Sequence, residues 1–115
     1  MIFRTGLAST IALAIGISAA SAPQDDFRYV QLRIYSETSC FEKNQGEMGI
    51  YGNKLNKCQT FGATRVKSVR FEYMLRDNCT VAIYNDITCQ LNRHDIDINT
   101  CLSGDKEYSS FLVQC

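Results

Sequence analysis

The stretch Cys79-Thr-Val-Ala-Ile-Tyr84-Asn-Asp-Ile-Thr-Cys89 decides the fold class of this chain. Its less polar residues Cys79, Val81 and Ile83 occupy every second position, which places them on one face of a β-strand. The later run Ser109-Ser-Phe-Leu-Val-Gln-Cys115 alternates in the same way, and the two runs hold three of the six cysteines. The pattern predicts a small β unit held together by disulfides.

The first 22 residues have the pattern of a secretory signal peptide. Arg4 supplies one positive charge, an apolar run extends from Leu7 to Ala20, and small residues end the segment at Ala22. That run is shorter than the ~20 residues that a membrane-spanning helix needs, and no other stretch is long enough. We therefore predict a signal peptide at 1–22, one mature domain at 23–115, an extracellular location and no transmembrane segment.

All six cysteines lie in the predicted mature domain. An even number of cysteines in a short exported chain predicts three disulfides, each contributing roughly 2–4 kcal/mol to stability. Zinc is disfavoured because no two cysteines have the Cys-x2-Cys spacing and the chain has one histidine. The predicted disulfide residues are Cys40, Cys58, Cys79, Cys89, Cys101 and Cys115.

Charge is unevenly distributed, although the formal net charge is zero. Residues 54 to 76 hold six basic residues and one acid, whereas residues 77 to 115 hold six acids and two basic residues. The basic segment 54–76 fits either docking to an anionic partner or a solvated strand face. We favour the second, and expect no nucleic-acid partner, because the segment lacks five or six consecutive like charges.

Several other runs also alternate. We predict strands at 27–35, at 48–51 and at 64–75, and a loop at 102–108. No segment shows a sustained helical period, so the chain is predicted to be all-β.

One sequence motif occurs twice in the chain. Ile34-Tyr-Ser-Glu-Thr-Ser-Cys40 matches Ile83-Tyr-Asn-Asp-Ile-Thr-Cys89, Cys58 falls opposite Cys101, and Ser68 falls opposite Ser110. We predict repeat one at about 27–76 and repeat two at about 77–115, each a Greek key of four strands. Two such units predict a sandwich of two packed sheets.

The repeat also predicts the disulfide pairing. If equivalent cysteines have equivalent roles, Cys40 pairs with Cys58 and Cys89 pairs with Cys101, one bridge in each repeat. Cys79 is then left to pair with Cys115.

These motifs resemble the βγ-crystallin-like fold and, within it, the small cysteine-rich secreted proteins of fungi. The segments from Tyr35 to Cys40 and from Tyr84 to Cys89 look like the folded corner of that fold, and the runs at Ser68 and Ser110 look like its serine-bearing last strand. The glycine that the family has two residues after the corner position is Glu42 in one copy and Leu91 in the other. The resemblance implies a Greek-key sandwich and a function like that of killer toxins, proteinase inhibitors or effectors.

The resemblance also indicates where calcium would bind in such a fold. Residues 63–68 have lost nearly all of the acidic and hydroxyl positions of that site. The second copy, Asp105-Lys-Glu-Tyr-Ser-Ser110, keeps the first acid and both serines but has Lys106 where an acid belongs. We predict a structural serine, with no metal and no other cofactor.

Candidate catalytic residues are few. His94 is the only histidine and lies beside Arg93, Asp95 and Asp97, which is typical of a solvated edge rather than of a general base. Asp95 and Asp97 have the residue types of a glycosidase acid pair, but alternation with isoleucines explains them as an exposed face. Three disulfides leave no free thiolate, so we predict no catalytic residues and no enzyme activity.

Two surface features are also expected. Asn78-Cys79-Thr80 is an N-glycosylation sequon, placed just before a strand where a turn is expected. Phe71 and Phe111 are predicted to lie in the core. Four tyrosines are predicted to be exposed and available to an interface: Tyr29, Tyr35, Tyr84 and Tyr108.

The sequence therefore predicts a monomeric, secreted, disulfide-stabilised binding protein. Its expected role is effector-like or toxin-like, outside the producing cell and without catalysis, on an unknown extracellular protein or cell-surface target. One alternative is a proteinase inhibitor that presents residues 43–49, within the long loop between Cys40 and Cys58. Another is a structural protein of the cell wall or matrix.

Overall fold

A computed structural model describes residues 25 to 115, which form two four-stranded antiparallel sheets and contain no α-helix. Sheet one has the strand order β2-β1-β4-β7, and sheet two has the order β3-β8-β5-β6. The predicted all-β class with three disulfides is confirmed, whereas the signal peptide at 1–22 lies outside the described residues. The strands are β1 (Arg28–Tyr35), β2 (Asn44–Tyr51), β3 (Cys58–Thr60), β4 (Val66–Met74), β5 (Thr80–Tyr84), β6 (His94–Ile96), β7 (Cys101–Tyr108) and β8 (Ser110–Gln114).

The two repeats exchange their third strands. β3 belongs to repeat one but pairs with β8 of repeat two, and β7 belongs to repeat two but pairs with β4 of repeat one. Each sheet therefore contains three strands of one repeat and one strand of the other. The Greek-key connection and the crystallin-like identity stay predictions.

The core lies between the two sheets and follows the alternation of the strands. Val30, Leu32 and Ile34 of β1 are buried, as predicted, and so are Phe71 of β4 and Phe111 of β8. The ring of Phe111 lies 4.9 Å from that of Phe61, centroid to centroid. Burial of these side chains in a shared core, at about 1.5–3 kcal/mol each, drives the two sheets together.

A corner follows the first strand of each repeat and folds over a buried serine. In repeat one, Ser68 Oγ donates a hydrogen bond to the carbonyl of Glu37 and accepts one from the amide of Cys40. In repeat two, Ser110 Oγ donates to the carbonyl of Asp86 and accepts from the amide of Cys89. Both serines are fully buried, so the structural role predicted for Ser110 is confirmed and is shared by Ser68.

The corners turn without the glycine that the βγ-crystallin-like fold has at this point. Cys40 and Lys43 in repeat one, and Cys89 and Asn92 in repeat two, have positive φ angles between 54° and 57°. The left-handed residues that the two corners share are therefore the cysteine itself and the residue three positions after it. Glu42 and Leu91, at the family's glycine position, are not among the residues with positive φ.

The predicted disulfide pairing is wrong for two of the three bridges. Cys40 pairs with Cys101 and Cys58 pairs with Cys89, whereas the predicted pair Cys79–Cys115 is confirmed. The strand exchange is the physical reason, because it carries Cys58 to the corner of repeat two and Cys101 to the corner of repeat one. Equivalent cysteines do have equivalent roles, but each corner is bridged to the other repeat.

Two predicted segments differ from the structure. Residues 102–108 were expected to form a loop, but they belong to β7, because pairing with β4 stabilises a polar edge strand that shows no hydrophobic alternation. The second strand begins at Asn44 rather than Met48, since the polar residues 44–47 also pair with β1.

Candidate functional site

The outer face of sheet one has a groove at the end where β1 begins and β4 finishes. Its volume is ≈ 630 Å³. The exposed fractions of Phe27, Tyr73 and Leu75 are 42%, 41% and 40%. Isolated exposed apolar residues are ordinary, whereas a cluster of them beside polar groups is a candidate for a binding surface. We call this feature the aromatic groove, defined by its lining residues Asp26, Phe27, Arg28, Gln31, Tyr73 and Leu75.

A β-bulge in β4 places Tyr73 in the groove. Gln31 of β1 pairs with Tyr73, but the next pair is Leu32 with Phe71, so Glu72 is an extra residue between them. Two successive residues of a bulged strand oppose a single residue of the partner, which redirects their side chains. The side chains of both Glu72 and Tyr73 consequently lie beside side chains on the outer face of β1.

Arg28 is held in one orientation at the rim of the groove. Its Nη1 donates to Gln31 Oε1, its Nη2 lies 3.5 Å from the hydroxyl oxygen of Tyr51, and its guanidinium carbon lies 5.9 Å from the centroid of that ring. The hydrogen bond to Tyr51 raises the pKa of Arg28 above its ordinary value. The guanidinium is therefore charged and has two side-chain contacts at the rim of the groove.

Gly49 of β2 makes room for this arrangement. A Cβ atom at Gly49 would lie 2.9 Å from Tyr51 Cε1 and 3.0 Å from Arg28 Nε, closer than ordinary contacts allow. Any larger residue at this position would displace the arginine or the ring.

An ion-pair network continues from the groove across the sheet. Gln31 Nε2 donates to Glu72 Oε1 at 2.7 Å, Arg33 Nε donates to Glu72 Oε2 at 2.8 Å, and Arg33 Nη2 lies 2.7 Å from Glu47 Oε1. Burial raises the pKa of Glu72, but the hydrogen bonds from Arg33 and Gln31 outweigh it, so the net pKa is lower than usual. The network fixes Gln31, which in turn orients Arg28.

Sequence reasoning missed the groove and favoured the wrong tyrosines. Tyr29, Tyr35, Tyr84 and Tyr108 were predicted to be exposed, but their exposed fractions are between 3% and 6%. Tyr35 and Tyr84 pair with Ser68 and Ser110, which is where the corners cover the sheets. Strand alternation alone could not find Tyr73, because the bulge changes the register beside it.

The predicted polar site residues lie on and next to β6, the edge strand of sheet two. His94 is half-buried in β6, where its Nε2 lies 3.2 Å from Asn85 Oδ1 and its ring meets the edge of Tyr108 at 5.5 Å. Asp95 is exposed and pairs with Arg93, and Asp97 lies beyond the end of β6. His94 therefore has structural contacts, and the two acids are not held together by a common partner.

Three further predictions concern the inhibitor loop, the glycosylation sequon and the basic segment. Residues 44–49 of the expected inhibitor loop lie in β2 and pair with β1, so they do not form a protruding loop. Asn78 is exposed in the turn before β5, as predicted for a sequon, and its glycosylation stays a prediction. In the basic segment 54–76, Arg65 pairs with Glu107, and Arg76 lies over the ring of Tyr29.

Within residues 25–115, no three His, Cys, Asp or Glu side chains lie together in a way that could hold a metal ion. The same part of the chain has no helix long and apolar enough to cross a membrane. No protein-family model, curated protein or solved structure significantly matches the chain. The groove and its neighbouring network are therefore the features on which a functional proposal rests.

Proposed function

We propose that this chain is a secreted binding protein, effector-like or toxin-like, that acts outside the producing cell without catalysis. The aromatic groove carries the proposal. Tyrosine and arginine are enriched among the residues that dominate binding energy, and the groove is lined by one of each, the exposed Tyr73 and Arg28. A groove of this kind suits recognition of a target rather than turnover of a substrate.

The scaffold supports the same proposal. Three disulfides are typical of oxidising compartments, which agrees with export of the chain. Two of them join the repeats to each other, because each ties the corner of one repeat to the strand of the other repeat that lies in the same sheet. A rigid scaffold lowers the entropy lost on association, so that a small site gives useful affinity.

The crystallin-like assignment is part of this proposal. The buried serines beneath both corners, and the equivalence of Cys40 with Cys89, support a duplicated unit of that type. The expected target is an extracellular protein or a cell-surface component.

Capture of a partner by the oxidised protein tests the function. The protein is immobilised and exposed to extracts and cell-wall fractions of candidate host and competitor cells and to a panel of secreted proteases. A groove variant, Phe27→Ser with Tyr73→Ser, is compared with a control, Ile87→Ser with Leu91→Ser. The control removes exposed apolar surface of similar kind from the corner of repeat two, where exposed fractions are 68% and 60%.

We expect one dominant partner that the control variant retains and that the groove variant and the reduced protein lose. Equal capture by both variants would show that the groove is not the binding site. Protease inhibition lost on replacing residues 43–49 would instead favour the inhibitor, and binding confined to the producer's own wall would favour the structural role.

A further inference from the structure

The lining of the aromatic groove combines apolar and polar groups in equal number. Phe27, Tyr73 and Leu75 supply apolar surface, and the remaining three residues supply polar groups. Asp26 is a hydrogen-bond acceptor, Arg28 is a donor, and Gln31 is both. A ligand that satisfies this lining needs apolar surface together with both donors and acceptors.

Charge in the groove argues against an ionic ligand. One acid, Asp26, and one basic residue, Arg28, line it, so the lining has no net charge. An anion would meet the carboxylate of Asp26, and a cation would meet the guanidinium of Arg28. A neutral ligand with hydroxyl groups avoids both penalties, because a hydroxyl donates to a carboxylate and accepts from a guanidinium.

The groove is open to solvent along its length, which suits a chain-like ligand that lies along the surface. The volume of ≈ 630 Å³ lies within the range of about 300–1,000 Å³ that is usual for small-molecule sites. The exposed aromatic side chains at its wall offer flat faces to a ring. We infer that the groove binds a sugar unit of a neutral polysaccharide, with the C–H face of the sugar against Tyr73 or Phe27 and its hydroxyls near Asp26 and Arg28.

Arg28 has free N–H groups that can donate hydrogen bonds to such hydroxyls. Among the described residues, Gln31 and Tyr51 engage two of its five N–H groups, which leaves three donors in the plane of the guanidinium. A planar group with several donors can bind two neighbouring hydroxyls at once, whereas the single ammonium of a lysine cannot hold the same geometry. Gly49 allows this position, since a side chain there would displace Arg28 or the Tyr51 ring that contacts it.

This inference rests on the proposed function and names the ligand class of the same groove. Titration calorimetry with soluble oligosaccharides of β-1,3-glucose, β-1,4-glucose, β-1,4-N-acetylglucosamine and mannose tests it, with polygalacturonate as the anionic comparison. We expect binding to at least one neutral oligosaccharide. Tyr73→Ser should weaken that binding about tenfold or more, which is the usual effect of removing an aromatic anchor, whereas Tyr73→Phe keeps the ring and should retain it.

Two further variants separate positioning from stacking. Arg28→Lys keeps the charge but loses the plane of donors, and Gly49→Ala displaces the guanidinium or the Tyr51 ring that contacts it. Both variants should weaken binding without lowering thermal stability appreciably. Ile87→Ser is the control and should bind like the wild type. Binding to polygalacturonate alone would overturn the inference.

The outcomes distinguish the two proposals. A purified protein partner whose binding depends on Tyr73, combined with no affinity for any oligosaccharide, overturns the sugar inference and leaves the binding function supported. If no sugar and no captured partner binds in a way that depends on the groove, both the sugar inference and the proposed binding function are overturned.

Discussion

The two corners are held by different numbers of contacts. Both have a buried serine and a disulfide, but the corner of repeat two is also held by the carboxylate of Asp86. That carboxylate accepts hydrogen bonds from the amides of Thr88, Gln90 and Leu91 and from the hydroxyl of Thr88. Its counterpart in repeat one is Glu37, whose carboxylate has no hydrogen-bond partner within residues 25–115.

The backbone differs at the same place. Ser39, which corresponds to Thr88, has a φ angle of 74°, in the left-handed region that L-residues rarely adopt. Thr88 is not among the residues with positive φ, and its own amide and hydroxyl are bound to Asp86. A β-branched residue would be strained in the left-handed region, so Asp86 stabilises an alternative path for the corner. The serine and the disulfide are therefore the shared requirement of a corner, and the acid is an addition.

The largest expected effect comes from removing, one at a time, the two equivalent disulfides that join the repeats. Cys40→Ser with Cys101→Ser opens a connection spanning 61 residues, and Cys58→Ser with Cys89→Ser opens one spanning 31 residues. Each should lower the free energy of unfolding by about 4 kcal/mol, measured by denaturant titration, because long closed loops restrict the unfolded chain. Peptide mapping without reduction that found Cys40 joined to Cys58 would contradict the exchange of strands.

The second test removes the buried hydroxyls. Ser68→Ala and Ser110→Ala each leave a corner carbonyl and a corner amide without their partner, which should cost about 1–3 kcal/mol. Thermal unfolding of the two variants should show similar losses if the corners are equivalent. A Ser68→Ala variant as stable as the wild type would show that repeat one does not depend on this contact.

These residues also show what sequence could and could not predict. The equivalence of Ser68 with Ser110, and of Cys40 with Cys89, follows from aligning the repeats, and the structure confirms it. An alignment states which positions correspond, but not which copy each one contacts. Bridges within a repeat and bridges between repeats fit the same alignment, so the pairing required the strand order.

The aromatic groove could not be predicted from the sequence for a related reason. Its position depends on one extra residue, Glu72, in the pairing of β4 with β1. A bulge shifts the register without changing the composition of a strand, so the exposure of Tyr73 could not be deduced from alternation. The hydrophobic residues of β1 were predictable because their pattern is regular.

Acid titration sharpens the difference between the corners. The hydroxyl of Thr88 and the three amides hold the pKa of Asp86 well below its usual value near 3.9. Because the folded pKa is the lower one, the stabilisation is present above the unfolded pKa and is lost as the pH falls from about 5 through the folded pKa. Asp86→Asn should flatten the fall in melting temperature at low pH, and Glu37→Gln should leave it nearly unchanged. Equal effects of the two substitutions would contradict the assignment to Asp86.

The smallest expected effect concerns Arg65 and Glu107, which are equivalent positions of the two repeats with opposite charge. Their side chains pair at 2.6 Å, while their carbonyls accept hydrogen bonds from Ser36 and Asn85, the equivalent first residues of the corners. Two identical residues at these positions would repel each other, so the pair depends on the repeats having diverged. Both side chains are well exposed, which limits the contribution to about 0.2–1 kcal/mol. Arg65→Glu should therefore destabilise the protein slightly, and adding Glu107→Arg should restore the loss, as measured by denaturant titration at low salt. No recovery in the double variant would show that the attraction between these two charges does not help to hold the repeats together.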